Sequence, residues 1–137
     1  MALFYADASA LVKLVLDEPE SDVLRAFLAD SDLISSELVL TEVPRAIRRA
    51  ATRELRLDLD LLTTRAGELI DAVALLPLDR VVLLAAGAFA EPALRALDAI
   101  HIASATDLSP LDGFVTYDGR QAAAARLAGL RTFSPGA

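Results

Sequence analysis

Ala2-Leu3-Phe4-Tyr5-Ala6-Asp7-Ala8-Ser9-Ala10-Leu11-Val12-Lys13-Leu14-Val15-Leu16 decides the fold. Ala2 to Ala6 is a short apolar run of strand type, and Ser9 to Leu16 reads as a helix that Pro19 stops. Asp7 stands at the junction. A strand running straight into a helix is the first half of a βαβ unit, and the rest of the chain repeats the alternation. Glu20 to Ala29 fits a helix with Val23, Leu24, Phe27 and Leu28 on one face. Leu33-Ile34 is a brief strand, after which Ser35-Ser36 is expected to cap a long helix reaching about Arg53. Further helices are expected over Asp58 to Ala72, Val81 to Ala90, Leu94 to Leu108 and Arg120 to Ala128. Strands are expected at Val73 to Leu78, Phe114 to Tyr117 and Arg131 to Phe133. Strands separated by helices imply an α/β fold with a parallel sheet covered on both faces.

The 137 residues suit one compact domain, and no repeat, low-complexity tract or linker divides them. A hydrophobic content of 55% supplies a core and excludes disorder. The longest apolar run, Val81 to Ala90, falls well short of the roughly 20 residues a membrane crossing needs. The N-terminus lacks a basic region and meets Asp7 early, unlike a signal peptide. Cysteine is absent, which removes disulfides and thiolate metal sites. Together these features predict a soluble cytoplasmic protein. Net charge is −7, so the chain as a whole repels nucleic acid, and any contact with RNA requires a local arginine patch.

Four carboxylates stand out. In open parallel sheets ligands bind beyond the carboxyl ends of the strands, where Asp7 and Asp118 are expected. Each also has an ordinary explanation, as a helix N-cap or, for Asp118 with Gln121, a capping box. Asp98 shares an i, i+4, i+8 stripe with Leu94 and Ile102, and a buried carboxylate needs a partner or a proton. Arg95 and His101, each three residues away, are structural candidates. Glu42 borders the apolar stripe of Val39, Val43 and Ile47, with Arg45 as an alternative surface partner and Pro44 as a source of distortion. If the four converge, each pair about 4 Å apart repels by about 4 kcal/mol at an effective dielectric of about 20. Such a cluster stays ionised only around a cation, and an all-oxygen donor set selects magnesium or manganese. Arg45, Arg49, Arg53 and Arg56 share a sector with Glu42, either as an RNA track or as a solvated face of ordinary ion pairs.

The motifs Phe4-Tyr5-Ala6-Asp7-Ala8-Ser9-Ala10-Leu11, Ser35-Ser36-Glu37-Leu38 leading to Glu42 and Arg45, Leu97-Asp98-Ala99-Ile100-His101-Ile102-Ala103 and Val115-Thr116-Tyr117-Asp118-Gly119-Arg120-Gln121 resemble, in order, the four motifs of PIN domains. Length and motif style are similar to the VapC-type toxins of toxin–antitoxin modules. The resemblance implies one PIN domain over 1–137, an α/β/α sandwich, and an endoribonuclease dependent on Mg²⁺ or Mn²⁺. It implies that Asp7, Glu42, Asp98 and Asp118 form the acidic, metal-holding site. Thr116 would orient a water or a carboxylate, and Ser9 would fix Asp7 or the substrate phosphate. His101 matches a position often filled by histidine and has a structural role as its ordinary explanation. A homodimer and a cognate antitoxin, whose C-terminal segment wraps the toxin near the site, are also implied. Metal-assisted attack of water would leave 5′-phosphate and 3′-hydroxyl ends. The helix Ser9 to Leu16, rich in Leu and Val, would offer a sticky face to such a partner unless its neighbours bury it.

Rival chemistries fit less well. Haloacid-dehalogenase-type phosphatases need a second Asp two residues after the first, where Ser9 stands, and a receiver domain needs a late lysine, whereas Lys13 is the only one. A non-catalytic binding module on the same fold is the other alternative.

Overall fold

The computed structural model describes residues 1–108 and 110–137. Its elements are β1 (Ala2–Ala6), α1 (Ala8–Val15), α2 (Ser21–Leu28), β2 (Ser31–Ser36), α3 (Val39–Arg53), α4 (Leu59–Asp71), β3 (Ala74–Leu76), α5 (Arg80–Gly87), α6 (Ala96–Thr106), β4 (Gly113–Val115), α7 (Gly119–Leu127) and β5 (Thr132–Phe133). The strands form a parallel sheet in the order β3-β2-β1-β4-β5.

The alternation of β1 distributes the core between the two faces. Phe4 and Ala6 join Ala10, Leu11, Val15, Leu24, Val43 and Ile47 under α1 to α4. Tyr5 points the other way, with Phe114, Ile102 and Ala125 under α6 and α7. Tyr5 and Phe114 are register partners and stack, with ring centroids 5.2 Å apart at 9°. Helix α5 packs on α6 through Val82, Ala86, Ala99 and Ala103.

Several local expectations shift. Ser35 and Ser36 end β2 and do not begin α3; both are buried, with Ser35 Oγ donating to the Ala6 carbonyl at 2.6 Å and Ser36 Oγ accepting from the Leu38 amide at 3.1 Å. Small hydroxyls that satisfy themselves on backbone groups fit a buried strand end as well as a cap. Helix α1 offers no sticky face: Leu11 and Val15 are buried, and Val12 and Leu14 pack against the same core. Exposed apolar side chains lie on other elements, among them Val81 and Leu84 on α5 and Leu127 on α7. Among the described residues no helix is long and apolar enough to cross a membrane.

Gly113 opens β4 where only a hydrogen fits. A Cβ there would overlap the Phe133 ring and approach Phe4 Cδ1 at 3.2 Å. Phe133 is held in turn by Phe4 and Phe27, with centroid separations of 5.6 and 5.3 Å. Gly113→Ala is therefore expected to destabilise the protein by about 1–3 kcal/mol. Its urea midpoint should fall, whereas an unchanged midpoint would mean that Phe133 swings aside freely.

Candidate active site

Strand β1 leads through α1 and α2 to β2 on one side, while β4 lies on its other side, so the chain order reverses between β1 and β4. Connections leaving in opposite directions open a crevice at the carboxyl ends of these two strands. Ala6 and Val115 are register partners there, and the Asp7 amide donates to the Val115 carbonyl at 3.2 Å. Asp7 follows β1 directly. Asp118 comes three residues after β4 ends, later than expected, because Thr116 and Tyr117 extend beyond the paired strand.

Asp7 is 4% exposed and caps α1. Its Oδ1 accepts from Ser9 Oγ at 2.6 Å and the Ala10 amide at 3.1 Å, and its Oδ2 accepts from Thr116 Oγ1 at 2.6 Å. The Asp118 amide donates to Thr116 Oγ1 at 3.1 Å, and the Tyr117 amide to Ser9 Oγ at 2.9 Å. The two hydroxyls thus tie the loop after β4 to the carboxylate after β1. Burial raises the Asp7 pKa, against the lowering effects of Ser9, Thr116 and His101.

Asp118 caps α7: its Oδ1 accepts from the Arg120 and Gln121 amides at 2.9 and 3.2 Å. The capping box does not close: the Asp118 amide donates to Thr116 Oγ1, and among the described residues the buried Gln121 side chain has no hydrogen-bond partner.

Asp98 occupies the first turn of α6, favoured there by the helix dipole. The helix starts at Ala96, so Leu94 precedes it and the expected apolar stripe is incomplete; Asp98 is half-buried. Among the described residues it has no hydrogen-bond or ion-pair partner, neither Arg95 nor His101. Burial, then Asp118 and Asp7, raise its pKa, offset in part by His101 and Arg95.

Glu42 lies in the first turn of α3. Pro44, the sixth residue of α3, withholds one amide from the helix, yet the helix continues to Arg53 and Glu42 still lines the cavity. The alternative Arg45 pair does not form among the described residues; Glu42 Oε1 meets His101 Nε2 at 2.7 Å instead.

All four carboxylates line one cavity of about 700 Å³, together with Ser9 and His101. Among the described residues no group of three or more histidine or carboxylate side chains could hold a metal ion as it stands. The carboxylates share a basin without forming a closed shell. Arg45, Arg49 and Arg95 line the same basin without an ion pair among the described residues, whereas Lys13 is engaged by Glu20 at 2.8 Å and Glu18 at 3.5 Å. Arg53 is absent from the lining, and Arg56 pairs with Glu54 at 3.1 Å.

Compared with known proteins, residues 4–127 match the profile of the PIN domain. The chain belongs to the PIN-domain family. This PIN domain is 37% identical over 141 residues to Ribonuclease VapC47 of Mycobacterium tuberculosis (strain CDC 1551 / Oshkosh), a match covering 98% of each chain. It is 40% identical over 143 residues to Ribonuclease VapC46 of Mycobacterium tuberculosis (strain ATCC 25618 / H37Rv), covering 98% of this chain and 99% of that one. The crystal structure of PAE2754 from Pyrobaculum aerophilum shares the fold, with a TM-score of 0.64 at 22% identity over 96% of this chain and 83% of that one.

Two participants escaped the sequence. Tyr5 reads as a strand core residue, and only its hydroxyl, which needs a partner when buried, hints at more. Arg95 reads as a partner for Asp98, but its position before α6 places it on the cavity wall.

Proposed function

We propose that this PIN domain is a divalent-metal-dependent endoribonuclease, the toxin of a toxin–antitoxin pair. The observation that carries the reading is Asp98: half-buried beside Asp7 and Asp118, it lacks a cationic partner among the described residues. Carboxylates so arranged need a counter-charge. Open walls and all-oxygen donors fit Mg²⁺ or Mn²⁺, which Asp7, Asp98, Asp118 and Glu42 would hold. When bound, the cation supplies Lewis acidity, which activates water and neutralises charge on the phosphate.

The chain's own groups do the rest. Ser9 and Thr116 fix the orientation of Asp7, so little reorganisation is left for the reaction. Asp118 spends Oδ1 on its helix cap and keeps Oδ2 for the proton of an attacking water. His101 is the only histidine and is engaged at both ring nitrogens, by Tyr5 and Glu42. A 2′-hydroxyl route run by a pair of histidines is therefore closed, and the reading gives products with 5′-phosphate and 3′-hydroxyl ends. Incubation with end-labelled RNA pools and Mn²⁺, with and without a chelator, tests this. Metal-dependent cuts with 5′-phosphate ends are expected; binding without cleavage would support a non-catalytic module.

Arg45 and Arg49 on α3 and Arg95 before α6 supply the local positive surface that a chain of charge −7 requires to meet RNA. Arg53 extends the same helix away from the cavity and contributes less. The double variant Arg45→Glu/Arg49→Glu should weaken RNA binding and reduce the slope of log affinity against log salt by about 0.7 for each phosphate of single-stranded RNA left unneutralised. An unaltered slope would make these arginines a solvated face. A cognate antitoxin and a second copy of the chain complete the proposed partners, in the cytoplasm where RNA is available.

A further inference from the structure

A hydrogen-bonded chain runs out of the core into the cavity. Tyr5 Oη lies 2.8 Å from His101 Nδ1, and His101 Nε2 lies 2.7 Å from Glu42 Oε1. Tyr5 is 0% exposed and His101 1%, so the Tyr5–His101 contact is shut off from solvent, whereas Glu42 meets Nε2 at the cavity wall. The three residues belong to β1, α6 and α3 and join the two faces of the sheet across the site.

The direction of the protons follows from the available acceptors. A buried hydroxyl proton needs an acceptor. The Ser35 and Ser104 hydroxyls also lie near the phenol, but His101 Nδ1 is its one hydrogen-bond contact among the described residues, so Nδ1 is the phenol's acceptor. An Nδ1 that accepts leaves the ring proton on Nε2. The opposite tautomer would set a lone pair on Nε2 against the Glu42 carboxylate.

We propose that Tyr5 and His101 are positioning residues: Tyr5 fixes His101 as the Nε2–H tautomer, and Nε2–H anchors Glu42 through Oε1, presenting Oε2 to the cavity. Outer partners of this kind orient a ligand and are worth about 10–100-fold in metal affinity. The tautomer stands on the geometry alone; the consequence for metal binding rests on the function proposed above.

The single histidine makes the test direct, because a ¹⁵N-histidine label reports one ring. Long-range ¹H–¹⁵N spectra of the metal-free protein should show a pure Nε2–H tautomer. Tyr5→Phe, which keeps the ring on Phe114, should leave Nδ1 without its donor, shift the Nδ1 ¹⁵N resonance and bind Mn²⁺ about 10-fold more weakly by calorimetry. His101→Ala should lose at least as much, and His101→Gln, whose amide can donate to Glu42, should recover most of it. With RNA, Tyr5→Phe should lower kcat and leave KM nearly unchanged. An Nδ1–H tautomer in the wild type, or Mn²⁺ affinity equal in wild type, Tyr5→Phe and His101→Ala, overturns the proposal. If the wild type binds Mn²⁺ in a Tyr5-dependent way but leaves RNA uncut, the ribonuclease reading fails and this one stands. If RNA is cut with Mn²⁺ affinity indifferent to Tyr5 and His101, the reverse holds.

Discussion

Asp98→Asn should abolish RNA cleavage, lowering kcat/KM by more than about 100-fold, while the metal-free protein stays folded. Loss of a group that merely supports a ligand costs about 10–100-fold, so loss of a direct ligand should exceed that. Asparagine keeps the size and position of the side chain in the first turn of α6 and removes only the charge. That charge is unfavourable without a cation: burial, Asp118 and Asp7 all raise the Asp98 pKa. Relief of this repulsion opposes the small loss of a favourable dipole interaction, so thermal stability should stay level or rise. Activity against labelled RNA and a melting curve on the same preparation check both halves. Retained cleavage removes Asp98 from the site; a collapsed melting curve makes its role structural.

The second large effect is a reversal of stability by metal. Asp7 and Asp98 both have raised pKa values in the folded state, so the native protein holds protons that the unfolded chain releases. For an acid shifted upward, the penalty is complete above the folded pKa. It diminishes as pH falls through that value and is gone below the unfolded value of 3.8. The metal-free wild type should thus gain stability from these two groups as pH falls from neutral into the carboxylate range, and Asp98→Asn should flatten the gain. At neutral pH, Mg²⁺ at about 100 times its dissociation constant adds about 2.7 kcal/mol, which corresponds to a rise of about 10 °C in Tm for a chain of this size. Asp98→Asn and Asp7→Asn should lose most of that rise. Equal Tm values with Mg²⁺ and with a chelator would count against a cation in the cavity.

Much of this was legible in the residues. The apolar run Ala2 to Ala6 followed by a helix, repeated along the chain, implied a parallel sheet, and Asp7 had to fall at its carboxyl edge. The parts that were not legible depend on distant neighbours. Glu42 looks like a partner for Arg45 until the fold brings His101, 59 residues away, to 2.7 Å. The stripe of Leu94, Asp98 and Ile102 assumed a helix two residues longer at its start than α6 is. Ser35-Ser36 reads as a cap because hydroxyls favour caps, and nothing local shows that the Ala6 carbonyl waits across the sheet. The apolar excess of α1 is buried because α2, α3 and α4 surround it, which periodicity within one helix does not reveal.

A crystal grown with Mn²⁺ and measured at the manganese absorption edge offers the most direct test. One or more anomalous peaks bordered by oxygens of Asp7, Asp98 and Asp118 are predicted, with Glu42 facing them through Oε2. Density for manganese elsewhere on the surface, with no anomalous signal between Asp98 and its two acidic neighbours, would contradict a cation-centred site.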